Sequence, residues 1–205
     1  MKISVILAHP DPGSFNHAIA RAVVDELQSC GHVVTFHDLY RERFDPFLRA
    51  EELDSKARPL PDLAELCEEA AVADGFVIVH PNWWGQPPAI LKGWVDRVLR
   101  AGVAYQFVDG DDGEGVPVGL LRAKAAIIFN TSNTPKQRED CVFGDPLEAI
   151  WKKCIFELCG VRSVDRRVFR VVVKSTPAER DAWLANAQEL VRRRFPISSE
   201  NSRAT

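Results

Sequence analysis

The feature that most constrains the fold is a regular alternation between short apolar runs and segments of helical periodicity. The predicted strands span residues 3–8, 33–36, 75–79, 125–129 and 168–173. The predicted helices span residues 15–30, 63–73, 87–100, 145–160 and 176–194. Strands that alternate with helices in this way predict a doubly wound α/β protein with a parallel sheet. The strand runs are almost continuously apolar, as expected for strands that are covered on both faces.

Five strands of this kind fit the sheet order 2-1-3-4-5 of a flavodoxin-like fold. We expect residues 1–196 to form one domain and residues 197–205 to form a flexible tail. Ligands of such sheets bind beyond the carboxyl ends of the strands, near the point where the strand order reverses. The loops after the first, third and fourth strands are therefore the candidate site.

Composition excludes several classes of partner. The net charge of −3 gives no reason to expect nucleic acid or an anionic membrane. No apolar run approaches the roughly 18 residues that a membrane span needs. The five cysteines form no C-x-x-C pair, and we expect Cys30, Cys67 and Cys154 to be buried thiols of a cytoplasmic protein. A chain of this length needs no metal for stability, and we expect no metal site.

The loop after the first strand runs from His9 to His17 and ends at a helix start capped by Ser14. Free N–H groups at a helix N-terminus favour a phosphate, to which Ser14, Asn16 and His9 could add hydrogen bonds. The alternative is an ordinary capped loop with two turn prolines. Because the chain has neither G-x-G-x-x-G nor G-x-x-x-x-G-K-[ST], a Rossmann dinucleotide site and a P-loop are disfavoured.

The loop after the third strand contains two adjacent tryptophans, Trp83 and Trp84. Neighbouring side chains in a loop point in different directions, so a single packing surface would not cover both rings. A flat aromatic ligand or a partner subunit would explain the pair, whereas the alternative is that both rings fill gaps under the loop. The loop after the fourth strand, residues 130–134, carries small polar groups suited to an acceptor-rich ring.

Two segments resemble the NAD(P)H:quinone oxidoreductase family, which includes DT-diaphorase and small bacterial quinone reductases. The first is HPDPGSFNHA, residues 9–18, and the second is PNWWGQPPAILKGWVDRV, residues 81–98, with its PAILKGW core. The resemblance extends over about residues 2–195. It implies a flavodoxin-like fold, a two-fold homodimer, and a bound flavin that passes a hydride from NAD(P)H to a quinone or similar acceptor. The short chain is similar to the bacterial branch, which favours FMN, with FAD as the alternative.

The resemblance also implies the roles of individual residues. The residues expected to bind the cofactor are His9, Ser14, Phe15, Asn16, Pro81, Asn82, Trp83, Trp84, Asn130, Thr131, Ser132 and Asn133. The acceptor pocket is expected to be walled by Trp84, Tyr105 and Phe107, partly from the second subunit.

The sequence departs from the family where DT-diaphorase has a Tyr and a His that assist charge redistribution on the flavin. The matching positions here are Gln137 and Phe143, and neither side chain can act as an acid or a base. The predicted function is an NAD(P)H dehydrogenase acting on quinones or related acceptors. An alternative is a flavin-binding ancillary subunit of an ion-efflux system with little turnover, and a hydrolase is disfavoured because no G-x-S-x-G occurs.

Overall fold

A computed structural model describes residues 1–54, 57–107, 115 and 117–197 of the 205-residue chain. The strands are β1 (Lys2–Leu7), β2 (Val33–Asp38), β3 (Gly75–Pro81), β4 (Tyr105–Gln106), β5 (Val118–Gly119), β6 (Ala125–Ser132) and β7 (Val164–Arg170). The α-helices are α1 (Phe15–Ser29), α2 (Ala64–Val72), α3 (Ala89–Val98), α4 (Lys136–Arg138), α5 (Pro146–Ala149) and α6 (Pro177–Arg194). π-Helical turns continue α4 over Glu139–Phe143 and α5 over Ile150–Glu157.

The main sheet is parallel and has the order β2-β1-β3-β6-β7. The strands β4 and β5 form a separate two-residue antiparallel ladder, so the order of the main sheet has the predicted 2-1-3-4-5 pattern. Helices α1 and α6 cover one face, where Val23 and Val191 are fully buried. Helices α2, α3 and the π-helical continuation of α5 cover the other face, where Trp94 and Trp151 lie in the core. Because all five strands are parallel, their carboxyl ends lie at one common edge of the sheet, between the two helical layers.

Three details of the prediction are wrong. The last strand spans Val164–Arg170 rather than residues 168–173, and Val172–Lys174 forms a short 3-10 helix. The edge strand β2 is not covered on both faces, and its Val33 is 66% exposed. Cys154 is exposed, although Cys30 and Cys67 are buried as expected. The wider π-helical turn around Cys154 shifts which side chains face the sheet, so the helical spacing did not predict its exposure.

Among the described residues, no helix is both long enough and apolar enough to cross a membrane. All of the predicted tail except Ile197 lies outside the described residues, and Ile197 is exposed.

Candidate functional site

The loops that follow β1, β3 and β6 meet at the carboxyl edge of the sheet and enclose a cleft of about 440 Å³. We call this the main cleft. Its size falls within the range of small-molecule sites. Besides Asp11, Thr134, Val172 and Val173, the main cleft is lined by ten of the predicted residues: His9, Ser14, Phe15, Asn16, Pro81, Asn82, Trp83, Thr131, Ser132 and Asn133.

The start of α1 forms one end of the main cleft. The side chain of Ser14 caps the helix by accepting a bond from the backbone N–H of His17 at 3.4 Å. The amide N–H groups of Phe15 and Asn16 have no acceptor in the described part of the chain, as expected for a first helical turn. The His17 ring bridges Ser14 Oγ at 3.0 Å and the Asp38 carboxylate at 3.1 Å. The loop is thus held in place while two N–H donors stay available to an anion.

His9 lies where the main cleft meets a neighbouring cleft lined by Arg21 and Arg41. Its Nδ1 accepts a hydrogen bond from the backbone N–H of Asp11 at 3.1 Å. Burial lowers the pKa of His9, which favours the neutral ring at neutral pH. With Nδ1 occupied as an acceptor, the Nε2–H remains as a donor.

The tryptophan loop is a tight turn built on Asn82. The Asn82 side-chain oxygen accepts from the backbone N–H of Gly85 at 2.9 Å, and Trp83 and Gln86 exchange two backbone bonds. Gly85 has φ +71°, and a Cβ there would lie 2.8 Å from the Pro146 ring. The two indoles diverge as expected: Trp83 lies 6.0 Å from the His9 ring, whereas Trp84 has φ +57° and is fully exposed.

The segment at the end of β6 has some side chains that line the main cleft and one that is buried beneath it. Asn16 donates to Thr131 Oγ1 at 2.9 Å, which ties the β1 loop to the end of β6. Asn133 accepts from the backbone N–H of Val173 at 3.0 Å, which ties this loop to the one after β7. Ser132 accepts from the N–H of Thr134 at 3.0 Å, so its own hydroxyl proton remains available.

Asn130, the remaining predicted member of this loop, is fully buried beneath the main cleft and does not line it. Its amide donates to His80 Nε2 at 2.9 Å and accepts from Arg166 Nε at 2.6 Å. Trp151 also donates to His80 Nε2, at 2.8 Å, and His80 Nδ1 donates to the carbonyl of Pro81 at 2.8 Å. Burial lowers the pKa of His80 to about 3, so this ring is a neutral hydrogen-bonding hub below the tryptophan loop.

A second cleft of about 560 Å³ adjoins the main cleft and shares Asn82 and Thr134 with it. We call it the Trp84 cleft; it is lined by Asn82, Trp84, Gly85, Thr134, Arg138, Glu139, Phe143 and Pro146. Gln137, the counterpart of the family tyrosine, is not among these residues, whereas Phe143 is. Glu139 is buried in this wall and has no counterpart in the sequence prediction.

Tyr105 and Phe107 lie apart from Trp84 within one chain. Their rings are 5.9 Å apart and line a third cleft of about 340 Å³ between α3 and the continuation of α5. Phe107 is 48% exposed on this face. The predicted acceptor pocket is therefore not assembled by a single protomer.

Sequence reasoning missed His17, Asp38, His80 and Glu139. The first two lie near the predicted loops, but nothing in their spacing marks them as partners. His80 directly precedes the tryptophan loop, and its place at the end of a buried strand was the one available signal.

A five-stranded parallel sheet of this order, with polar and aromatic loops at its carboxyl edge, defines a flavodoxin-like α/β protein. The chain belongs to the corresponding protein family, described as having a flavodoxin-like fold, whose model matches residues 1–192.

Known relatives agree with this assignment. The chain is 36% identical to an uncharacterized NAD(P)H oxidoreductase of Haemophilus influenzae, over 80% of this chain and 81% of that protein. It is 28% identical to the mouse ribosyldihydronicotinamide dehydrogenase [quinone], over 92% of this chain and 90% of that protein. The crystal structure of Smu.1420 from Streptococcus mutans UA159 superposes with a TM-score of 0.82 at 31% identity, covering 94% and 100% of the two chains. The predicted resemblance to the NAD(P)H:quinone oxidoreductases is confirmed.

Proposed function

We propose that this protein is a flavin-dependent NAD(P)H oxidoreductase of the cytoplasm that reduces a quinone or a similar two-electron acceptor, with FMN as the cofactor. The observation that carries the proposal is the main cleft: it joins an N–H-rich helix start to a tryptophan loop and continues into the Trp84 cleft. Relatives that share 36% and 28% identity carry NAD(P)H oxidoreductase and quinone dehydrogenase names. Residues 1–196 form the flavin-binding domain in this proposal.

The donors of the main cleft fit a flavin mononucleotide. The free N–H groups of Phe15 and Asn16 and the positive end of α1 suit the phosphate, and His9 Nε2–H adds a neutral donor. At the other end, Trp83 offers an apolar face, while Ser132 and Asn133 have donors left over after their own bonds. These donors match the carbonyl and nitrogen acceptors at the edge of a flavin ring.

The bound flavin supplies the hydride chemistry, and the chain supplies position and electrostatics. The bonds of Asn16 and Asn133 tie the loops together and so fix the donors of Ser132 and Asn133 in place. These fixed donors would stabilise negative charge at the edge of a bound flavin ring without having to reorganise. The Trp84 cleft holds the nicotinamide and the acceptor in turn, with Trp84 and Phe143 as aromatic walls. Because Asn82 belongs to both clefts, the geometry of its turn sets the relation between the two ligands.

A homodimer completes the acceptor pocket in this proposal. Tyr105 and Phe107 stand on an exposed aromatic face that does not reach Trp84 of the same chain. Placing this face against the Trp84 cleft of a second protomer would cover both apolar surfaces at once. Sedimentation analysis should then give a dimer, and Phe107→Asp should produce monomers with little quinone reductase activity.

The phosphate end of the site can be tested with Ser14→Asp. Aspartate caps a helix as well as serine does, so α1 should form normally. Its carboxylate would repel a phosphate at the same N-terminus, and we expect the dissociation constant for FMN to rise about tenfold or more. Thr176→Asp is the matched control, because Thr176 caps α6 away from the cleft. FMN titrations followed by quenching of flavin fluorescence measure both variants.

Equal FMN affinity in both variants would contradict the placement of the phosphate. An apoprotein that binds neither FMN nor FAD would contradict the proposed function itself. Binding of flavin without turnover of NAD(P)H with any quinone would instead favour an ancillary, efflux-associated subunit.

A further inference from the structure

Glu139 is a buried carboxyl group in the wall of the Trp84 cleft. Only 1% of the residue is exposed to solvent. Its Oε1 accepts a hydrogen bond from the Asn82 amide at 3.2 Å. Its other oxygen, Oε2, has no hydrogen-bond partner among the described residues. A buried polar atom without a partner is costly, so a group that enters the cleft and bonds to Oε2 would recover free energy.

The surroundings of Glu139 indicate the chemistry of that group. Trp84 and Phe143 give the cleft aromatic walls suited to a planar ring, and Thr134 and Arg138 add polar contacts. Arginine stays protonated at neutral pH and threonine does not ionise, so neither exchanges a proton readily. Among the described residues that line this cleft, Glu139 carries the one carboxyl group, and carboxyl groups are common general acids in enzymes.

We propose that Glu139 is a catalytic residue that donates a proton from Oε2 to a carbonyl oxygen of the two-electron acceptor. This inference rests on the function proposed above. Reducing a quinone to a hydroquinone takes one hydride and one proton. The hydride, originating from NAD(P)H, brings both electrons and one hydrogen nucleus. The carboxyl O–H of Glu139 breaks as the acceptor O–H forms, and the resulting carboxylate regains a proton from water after product release.

This assignment accounts for the departure at Gln137 and Phe143. Neither residue offers an ionisable group, and Gln137 is exposed outside the Trp84 cleft. The π-helical turn Glu139–Phe143 instead turns the carboxyl group of Glu139 inward, beside Asn82 of the tryptophan loop. In this proposal Glu139 takes over the role of the Tyr and His that the family has at the positions of Gln137 and Phe143.

Glu139→Gln tests the assignment with little change of shape. The glutamine keeps an oxygen for the Asn82 bond but has no carboxyl proton to give. Stopped-flow mixing of the pre-reduced FMN protein with menadione should show reoxidation slowed by about 10²-fold, the usual size of a general-acid effect. Ferricyanide takes single electrons and needs no proton, so its reduction should change by less than about twofold.

Asp140→Asn is the matched control. It removes one carboxylate from the next residue, which is exposed and paired with Lys136 outside the cleft. Its rates with both acceptors should equal those of the wild type. Glu139→Asp keeps a carboxyl group and should recover most of the menadione rate. Such recovery would show that the slow reaction of Glu139→Gln comes from the lost acid and not from a change of structure.

Binding provides a readout independent of turnover. The dissociation constant for FMN and the urea midpoint should stay the same in Glu139→Gln. Loss of FMN affinity would overturn the inference by placing Glu139 at the cofactor, and so would equal slowing with ferricyanide or an unchanged menadione rate. Failure of the wild-type protein to bind flavin or to be reduced by NAD(P)H would refute the proposed function instead, before any variant is compared.

Discussion

Replacing His80 with leucine should destabilise the fold because it removes the hub beneath the tryptophan loop. The Nε2 atom accepts from Trp151 at 2.8 Å and from Asn130 at 2.9 Å, and all three residues are fully buried. Leucine fills a similar volume but leaves both donors without this acceptor. Each unsatisfied buried donor costs about 1–3 kcal/mol, which predicts a loss of about 2–6 kcal/mol in the free energy of unfolding.

The backbone and the Nδ1 atom of His80 also affect the size of this loss. Asn130 keeps a second, longer bond to the His80 carbonyl at 3.3 Å, so the loss should fall in the lower half of that range. The Pro81 carbonyl loses its Nδ1–H donor, which should also loosen the start of the tryptophan loop. Urea unfolding at pH 7 measures the loss. His80→Gln, which retains an oxygen acceptor and an N–H donor, should lose less than His80→Leu.

The same residue predicts a pH dependence. The folded-state pKa of His80 is about 3, below the ordinary 6.5, because burial opposes the charged ring. Between these values the unfolded chain binds the proton and the folded chain does not, so stability rises with pH across this window. The wild-type advantage over His80→Leu should therefore shrink from pH 7 to pH 5, by up to about 1.4 kcal/mol per pH unit below 6.5. The hydrogen-bonding role of His80 would be refuted if the stability difference between the wild type and His80→Leu did not change with pH. It would also be refuted if His80→Leu lost less than about 1 kcal/mol of unfolding free energy at pH 7.

Three further predictions test other parts of the molecule. Glu52→Ala should lower the free energy of unfolding by about 3 kcal/mol in urea titrations, since it removes the only buried carboxylate among the described partners of the buried Arg97 guanidinium and leaves the exposed Asp45 and Asp62, each at 3.6 Å. Trp84→Ala should change the urea midpoint little, because the ring is fully exposed, yet raise the KM for menadione about tenfold in steady-state assays, because Trp84 is a wall of the cleft proposed for the acceptor. The pKa of His37 is raised in spite of burial, because Glu69 bonds to its ring at 2.8 Å. Its stabilising contribution should be full below about pH 6.5 and lost as pH rises through the raised pKa, so His37→Gln should cost more stability at pH 6 than at pH 9.

The sequence predicted the sheet because strand and helix periodicities alternate without interruption, and parallel strands with helical crossovers allow few arrangements. It also located the cleft, since the carboxyl ends of β1, β3 and β6 must share one edge. The position of Asn130 could not be predicted in this way, because the end of β6 was placed too early. Strand β6 continues through Ser132, so a residue assigned to the loop belongs to the strand and has a buried side chain.

Glu139 could not be predicted for a different reason. It lies in a polar segment, and its burial depends on a π-helical turn that α-helical spacing does not represent. Its hydrogen bond to Asn82 spans 57 positions in the sequence, and the spacing of neither residue indicates the other. Likewise, Tyr105 and Phe107 were predicted as pocket walls from family resemblance, and only a second protomer could bring them to Trp84.

The central claim is that the main cleft binds a flavin that NAD(P)H reduces. An anaerobic titration of the FMN-reconstituted protein with NAD(P)H tests it most directly, followed by addition of menadione. We predict that one equivalent of NAD(P)H bleaches the visible absorbance of the bound flavin and that one equivalent of menadione restores it. A protein that retains no flavin on gel filtration, or whose bound flavin keeps its colour with NAD(P)H, would contradict the account.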